Sequence, residues 1–187
     1  EDLPVHLSFD FNLVPYITCT AWQIKPIDKG YHVRCFREFC LPNPNNNSEA
    51  LAEEIKRTIG HLLKNGCYFY GDYSGKTNNT VSKEVRNNYE MIEKVLYKYL
   101  NNQSNRVIKN ALHVKRRDFI NKILTNGFNL TVEINELCKE TVADMEFVKE
   151  SPTGGKLKEK KNGAETHGHT SDSLDYFFCS AFDYLFT

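Results

Sequence analysis

The feature that most constrains the fold is a series of three strand-like runs in the first forty residues. Residues 5 to 11, 16 to 24 and 31 to 40 are rich in aromatic and β-branched side chains. Short turn-like pieces separate the runs, at Val14-Pro15 and at residues 26 to 30. Because consecutive strands with short connections pair antiparallel, the sequence predicts a three-stranded antiparallel meander at the start of the chain.

Helices alternating with strands are predicted after the meander. Apolar residues at helical spacing follow Ser48, a good helix cap, and continue until Gly66, after which residues 67 to 70 resemble a short buried strand. The remaining predicted elements are a helix over 82 to 101, a strand at 107 to 108, a helix over 115 to 126, a strand over 130 to 132, a helix ending near 148 and a last helix over 171 to 185.

Length and composition are those of one soluble domain with a substantial core. The chain has 187 residues, and no apolar run approaches the roughly 20 residues of a membrane span. Its six cysteines occur without a C-x-x-C pair, which predicts reduced core thiols rather than a disulfide framework or a zinc site. Because the first residue is Glu1 and no signal segment follows it, we expect a fragment or a processed product that is not secreted.

The formal net charge is zero, so any nucleic-acid surface must come from local clusters of basic residues. One cluster is Lys115-Arg116-Arg117, and a second contains Lys156, Lys158, Lys160 and Lys161. Each cluster is either a phosphate-binding surface or a solvated face. Acidic residues gather elsewhere in the chain, at Glu133, Glu136, Glu140, Asp144, Glu146 and Glu150.

Three aspartates stand in settings that suit a divided metal site. Asp10 shares the polar face of the first strand with Ser8 and Asn12, Asp72 follows the strand at residues 67 to 70, and Asp172 lies in the first turn of the last helix. Carboxylates drawn from distant parts of a chain hold hard cations such as Mg²⁺ against a phosphate. Taken singly, each aspartate is more often a cap, a turn residue or solvated surface.

The order of the elements, with a carboxylate on the first strand and another after the fourth, is the one that a ribonuclease-H-like α/β fold supplies, with a mixed central sheet flanked by helices. The segments 8 to 12 (SFDFN), 70 to 75 (YGDYSG) and 168 to 176 (GHTSDSLDY) together resemble the nuclease domain of the phage terminase large subunit, over nearly the whole chain. The resemblance implies a single nuclease domain over residues 1 to 187, from the carboxyl-terminal part of a longer chain whose ATPase domain is absent.

The function implied by this resemblance is cutting of concatemeric viral double-stranded DNA during genome packaging. The cofactors would be two Mg²⁺ or Mn²⁺ ions that catalyse phosphodiester hydrolysis. The implied partners are double-stranded DNA, the ATPase domain, the small terminase subunit and the portal, in the cytoplasm of the infected bacterial host.

The resemblance also assigns roles to individual residues. Asp10 would bridge the two ions, with Asp72 holding one and Asp172 the other. His169 would lie near the metal or would serve as a turn histidine. Asp175, one helical turn after Asp172, and Asn12, beside Asp10 on the strand, would support the ligands. Asp172 is equally well placed to cap its own helix.

A DNA grip is implied for the basic segment before the last helix. Lys156 and Lys158 would project in the same direction on a strand, with Lys160 and Lys161 close behind and Lys76 beside the metal site. Such phosphate contacts carry no sequence preference and weaken as salt rises.

Two other classes of function stay open. A catalytically idle DNA-binding or packaging-interface module would keep the fold without cleavage. A P-loop nucleotide hydrolase is suggested by Gly71 to Thr77, which ends in Gly-Lys-Thr, but only three residues separate Gly71 from Gly75 where a P-loop needs four.

Overall fold

A five-stranded mixed sheet forms the centre of the molecule. The structure is a computed structural model that describes residues 2–78, 85–157 and 167–186, with the backbone of residues 160–161 and 164–165. The strands of the sheet are β1 (Val5–Asp10), β2 (Tyr16–Ile27), β3 (Gly30–Pro42), β4 (Cys67–Gly71) and β5 (Leu130–Ile134). They lie in the order β4-β1-β2-β3-β5, with β1, β2 and β3 antiparallel, β4 parallel to β1 and β5 parallel to β3. The predicted meander is confirmed.

Helices cover both faces of this sheet. They are α1 (Ser48–Leu63), α2 (Asn88–Leu96), α3 (His113–Leu124), α4 (Lys139–Phe147) and α5 (His169–Ala181). Short antiparallel pairs join β6 (Lys149–Glu150) to β7 (Lys156–Leu157) and β8 (Lys160–Lys161) to β9 (Ala164–Glu165). The predicted fold class, a mixed α/β sheet flanked by helices, is confirmed.

The alternation of side chains along β1 gives the sheet two separate cores. Leu7 and Phe9 point to one face and pack in a cluster with Leu51 and Ile55 of α1. The opposite face packs against α3 and α5, in a cluster that includes Trp22, Val33, Phe119, Leu174, Phe177 and Phe178. The last helix is therefore buried by its apolar stripe, as its periodicity predicted.

Hydroxyl groups connect α5 to the sheet at one level of the second face. Ser8 Oγ donates a hydrogen bond to the Ser173 carbonyl over 2.6 Å, and Ser173 Oγ donates to the Ser8 carbonyl over 2.8 Å. Thr20 Oγ1 lies 2.7 Å from Ser173 Oγ and accepts from the Trp22 indole. Because all of these groups are buried, the bonds fix the first turns of α5 over the carboxyl end of β1.

The structure corrects three predictions about individual elements. Asn47, not Ser48, caps α1, because its side chain accepts from the Ala50 amide over 2.9 Å. Asn87 caps the next helix in the same way, so that α2 begins at Asn88 rather than at residue 82, and residues 82–84 of the predicted helix lie outside the described residues. No strand forms at residues 107 to 108, where the nearest pairing is a single bridge at Asn105.

The state of the cysteines and the length of the helices complete the description of the fold. All six cysteines have free thiols, and five of them are buried. Among the described residues, no helix is both long and apolar enough to cross a membrane.

Candidate carboxylate site

Parallel pairing of β1 and β4 brings the first two predicted carboxylates together. Phe9 of β1 lies opposite Gly71 of β4, and the Asp72 amide donates to the Phe9 carbonyl over 3.0 Å. Asp10 is the last residue of β1 and Asp72 directly follows β4, so the two aspartates lie at the same edge of the sheet. Their proximity follows from strand register rather than from the conformation of a loop.

Asp10 is the most enclosed of the three predicted ligands, with 3% of its surface exposed. Its Oδ2 accepts from Asn12 Nδ2 over 2.9 Å and lies 3.1 Å from His169 Nδ1. Burial raises the pKa of Asp10, the His169 hydrogen bond lowers it, and the charge of Asp172 raises it further. Asn12 and His169 therefore orient a carboxylate whose negative charge is costly in the absence of a cation.

Asp72 is held by a turn that it also caps. Its Oδ1 accepts from the Ser74 amide over 3.0 Å and from Asn110 Nδ2 over 2.7 Å, and its Oδ2 accepts from the Ser74 hydroxyl. The Asp72 carbonyl accepts from Tyr89 over 3.0 Å. Asn110 comes from the irregular chain before α3, which no sequence pattern marked as part of the site.

Asp172 lies in the first turn of α5 beside a half-buried lysine. Lys156 Nζ is 3.0 Å from Asp172 Oδ1 and 2.9 Å from Asp175 Oδ2, so its ammonium bridges the two carboxylates. Burial alone would lower the pKa of Lys156, but Asp175 and Asp172 raise it above its usual value. Burial raises the pKa of Asp175, and Lys156 opposes that shift. The ammonium of the lysine predicted to face DNA therefore points towards Asp172 and Asp175.

An open cleft of about 420 Å³ connects these groups. It is lined by Asp10, Asn12, Asp72, His113, Ser151, Thr153, Gly155, Lys156, Asp172 and Tyr176. All three predicted ligands therefore share one solvent-accessible surface. Within the described residues, no group of three or more histidine, cysteine, aspartate or glutamate side chains is already gathered closely enough to hold a metal ion.

The segment that resembles a P-loop has a different local structure. Residues Tyr73–Lys76 form a 3₁₀ turn rather than a loop leading into an α-helix. A Cβ atom on Gly75 would overlap the Phe11 ring and would lie 2.8 Å from the Tyr89 ring. Gly75 thus permits close packing of aromatic rings, and the turn offers no cradle for a triphosphate.

The other predicted DNA-binding lysines are only partly within the described residues. Lys76 Nζ donates to the Val107 carbonyl over 2.9 Å, so its ammonium ties the 3₁₀ turn to the neighbouring chain. Lys158 lies outside the described residues. Lys160 and Lys161 form β8, and their side chains also lie outside the described part.

The basic run at the start of α3 is not a uniform surface. Arg116 is buried, with 2% of its surface exposed, and its guanidinium lies 5.0 Å from the Tyr176 ring. Arg117 pairs with Asp118 and Glu150. Two of the three basic side chains therefore contact other groups of the protein. The sequence alone could not distinguish this arrangement from a phosphate-binding surface.

Comparisons with known proteins find matches among solved structures. No protein-family model matches the sequence, and no curated protein matches it. The nuclease domain of the g2p large terminase from bacteriophage SPP1, solved with bound Mn, aligns with a TM-score of 0.54 and 13% identity over 94% of this chain and 85% of that one. The large terminase of a thermophilic bacteriophage aligns with a TM-score of 0.61 and 16% identity over 96% of this chain.

This chain spans only 40% of the length of the thermophilic phage terminase. A third structure, the same terminase in complex with ATP-gamma-S, gives a TM-score of 0.58 at 17% identity. At such identities the likeness establishes the fold, and the resemblance predicted from the three motifs is confirmed at that level. The chain has the ribonuclease-H-like fold of phage large terminase nuclease domains.

Proposed function

We propose that this domain is a divalent-metal-dependent endonuclease that cuts double-stranded DNA. The observation that carries the proposal is the convergence of Asp10, Asp72 and Asp172, from β1, β4 and α5, on one open cleft. The three side chains are far apart in sequence, and the fold that unites them is shared with a terminase nuclease domain solved with Mn.

The chemistry of the donors fits Mg²⁺ or Mn²⁺. Both ions prefer oxygen ligands, and the cleft offers carboxylates from three elements. Burial raises the pKa of Asp10, and repulsion by the charge of Asp172 raises it further. A cation bound by both carboxylates would relieve the repulsion between them. Asp10, Asp72 and Asp172 would hold two such ions, with Asp10 as the ligand common to both and Asp72 and Asp172 as ligands of one each. A direct contact between His169 and metal stays a prediction.

Two such ions, when bound, would activate the attacking water and stabilise charge on the leaving 3′-oxygen. The side chains of this chain supply the preorganisation. Asn12 and His169 fix the carboxylate of Asp10, and Ser74 and Asn110 fix that of Asp72. Carboxylates held in this way need little rearrangement during the reaction.

The ammonium of Lys156 has a separate role in this proposal. It lies within 3.0 Å of Asp172 and Asp175, so it balances negative charge on the α5 side of the cleft. The same ammonium lines the cleft and offers a positive charge to a DNA phosphate that enters it. Lys158, Lys160 and Lys161 are proposed to extend the phosphate contact along the backbone.

The biological role proposed for the domain is cleavage of concatemeric phage DNA during packaging, in the cytoplasm of the infected host. In that role the domain acts as the carboxyl-terminal part of a terminase beside an ATPase domain. The small terminase subunit and the portal are its further proposed partners.

One observation favours a second candidate, a DNA-binding module without catalytic activity. The ammonium of Lys156 already pairs with the carboxylate of Asp172, at 3.0 Å. An ammonium that permanently replaced one ion would leave DNA binding without cleavage.

Incubation of supercoiled plasmid with the purified chain separates the two candidates. We expect nicked and linear DNA with Mn²⁺ or Mg²⁺ and none with a chelator. DNA that is bound but stays supercoiled at millimolar Mn²⁺ would exclude the nuclease and favour the idle module.

A further inference from the structure

Asp144 is a buried carboxylate in the part of the sequence where acidic residues gather. It belongs to α4, and only 1% of its surface is exposed, whereas the neighbouring Glu146 is exposed. A buried carboxylate is stable only where donors surround it. The partners of Asp144 therefore indicate what it is for.

The hydrogen bonds that the Asp144 side chain accepts come from the start of α5. Its Oδ1 accepts from the Gly168 amide over 2.8 Å, and its Oδ2 accepts from the Ser171 amide over 3.0 Å and from the Thr170 hydroxyl over 2.6 Å. His167 Nδ1 lies 3.5 Å from Oδ1. The carboxylate satisfies backbone amides of the first turn of another helix.

This contact replaces a cap that α5 lacks in its own sequence. The residue at the cap position is Gly168, which has φ of +113° and no side chain to accept a hydrogen bond. The first amides of a helix have no partners within the helix, and a negative charge beside them is favourable. Asp144 supplies both the acceptor and the charge from α4.

The turn that Asp144 holds carries two residues of the proposed site. His169 Nδ1 lies 3.1 Å from Asp10 Oδ2, and Asp172 faces the cleft one turn further on. A shift of the first turn of α5 would displace both residues relative to Asp10, which is fixed to the sheet. The position of α4 therefore sets the geometry between the two sides of the cleft.

A second carboxylate fixes α4 to the sheet in the same manner. Glu38 of β3 accepts from the Glu140 amide over 3.0 Å and from the Thr141 amide and hydroxyl, both over 2.8 Å. Glu140 in turn accepts from the Tyr16 hydroxyl over 3.1 Å. Two carboxylate caps in series connect the central sheet to the turn that carries His169 and Asp172.

We propose that Asp144 is a positioning residue that holds His169 and Asp172 in register with Asp10, with Glu38 holding α4 for the same purpose. The proposal rests on the proposed function, because the geometry it protects is that of the metal-binding cleft. Residues that orient metal ligands from behind alter metal affinity by roughly 10-fold to 100-fold when they are replaced.

The test is Asp144→Asn, which keeps the shape and gives up the negative charge and one acceptor. We expect the Mn²⁺ concentration for half-maximal plasmid cleavage to rise by about tenfold or more, and Mn²⁺ binding measured by calorimetry without DNA to weaken by a similar factor. DNA binding in the presence of a chelator should stay unchanged. Asp118→Asn, at an exposed carboxylate on α3, is the matched control and should leave both metal measurements unaltered.

A second pair of variants keeps the test decisive if Asp144→Asn does not fold. Thr170→Val removes one donor to Asp144 and should weaken Mn²⁺ binding, while Thr170→Ser keeps the hydroxyl and should restore it. A wild type that neither binds Mn²⁺ nor cleaves DNA overturns the proposed function itself. A wild type that does both, beside folded Asp144→Asn and Thr170→Val proteins with unchanged Mn²⁺ affinity, overturns only the positioning role.

Discussion

The two sides of the carboxylate cleft are built in different ways. The sheet side contains Asp10 and Asp72, which accept hydrogen bonds from amides, one hydroxyl and a histidine ring. The helix side contains Asp172 and Asp175, which share the ammonium of Lys156. Within the described residues, no lysine or arginine forms an ion pair with the aspartates of the sheet side.

The two sides differ in how the positions of the carboxylates are fixed and in how their negative charge is balanced. On the sheet side, strand register and hydrogen-bond donors fix the carboxylates, and among the described residues no lysine or arginine balances their charge. On the helix side, an internal cation balances the charge, and a divalent ion must share the carboxylates with Lys156 or displace it. We therefore expect the sheet side to determine whether metal binds, and the helix side to determine how firmly the domain folds without metal.

The largest expected effect is the loss of cleavage in Asp10→Asn. The amide keeps the shape of the bridging ligand but loses its charge, so plasmid nicking in Mn²⁺ should fall by about 10³-fold or more. Burial and the charge of Asp172 both raise the pKa of Asp10, so the ionised carboxylate destabilises the fold at neutral pH. The melting temperature of the variant without metal should therefore not decrease. Asp28→Asn, in the exposed turn after β2, is the control.

Asp72→Asn sharpens this expectation on the same side of the cleft. It should lose cleavage similarly, and its melting temperature without metal should stay near that of the wild type, because asparagine keeps the side-chain oxygen that caps the 3₁₀ turn. In both variants, the rise in melting temperature that millimolar Mn²⁺ gives to the wild type should be reduced. Wild-type cleavage by either folded variant would remove that aspartate from the metal site.

The next largest effect is expected for Lys156→Ala on the helix side. The change leaves Asp172 and Asp175 buried without their shared ammonium, which should lower the free energy of unfolding by about 3–5 kcal/mol in the absence of metal. Added Mn²⁺ should restore part of that loss, so that the metal-induced rise in melting temperature exceeds the rise in wild type. Urea unfolding with and without Mn²⁺ measures both quantities.

Lys115→Ala is the matched control, because Lys115 is exposed at the start of α3. It should leave stability within about 0.5 kcal/mol of wild type. A Lys156→Ala protein with wild-type stability and a wild-type response to Mn²⁺ would show that the two sides of the cleft do not differ in the way described.

The sheet side could be predicted from sequence because its geometry is local. Alternation along residues 5 to 11 put Asp10 on a polar face, and Asp72 followed a buried strand, so only the pairing of two strands was needed to join them. The order of strands and helices along the chain also predicted the fold class. Asn12, two residues further along the chain, donates a hydrogen bond to Asp10 over 2.9 Å.

The helix side could not be predicted to the same degree because it depends on contacts between distant segments. Lys156 has the sequence context of a surface lysine, and only the packing of β7 against α5 turns its ammonium inward. Asp144 stands in an acidic stretch that resembles solvated surface, yet it is buried by α5. No periodicity in the sequence distinguishes such residues from exposed ones.

A smaller effect tests the other end of the polar face of β1. Burial, with a contribution from the charge of Arg106, lowers the pKa of His6 to about 4. Between pH 6.5 and pH 4 the unfolded chain therefore binds a proton on His6 that the folded chain excludes. The stability that neutral His6 gives to the folded protein is complete above pH 6.5 and is lost as the pH falls towards 4. Relative to pH 7, His6→Gln should reduce the loss of stability at pH 5 by about 2 kcal/mol.

Urea unfolding of wild type and His6→Gln at pH 7 and pH 5 measures this difference, and His61→Gln, at an exposed histidine of α1, is the control. The response of His6→Gln to Mn²⁺ should equal that of wild type, because His6 bonds to Tyr70 and lies outside the cleft. Equal acid sensitivity of His6→Gln and wild type would show that His6 does not resist protonation in the folded protein.

The smallest expected effect concerns the lysines that follow Lys156. Replacing Lys158, Lys160 and Lys161 by alanine should weaken binding to unrelated DNA duplexes equally, and each lost phosphate contact should reduce the slope of log affinity against log salt by about 0.9. Mn²⁺ binding and melting temperature should stay unchanged, in contrast to Lys156→Ala. A control triple variant at exposed lysines elsewhere, Lys29, Lys64 and Lys98, lowers the net charge equally. If both triple variants have the same salt slope, the segment acts through net charge alone and makes no specific contact with the DNA backbone.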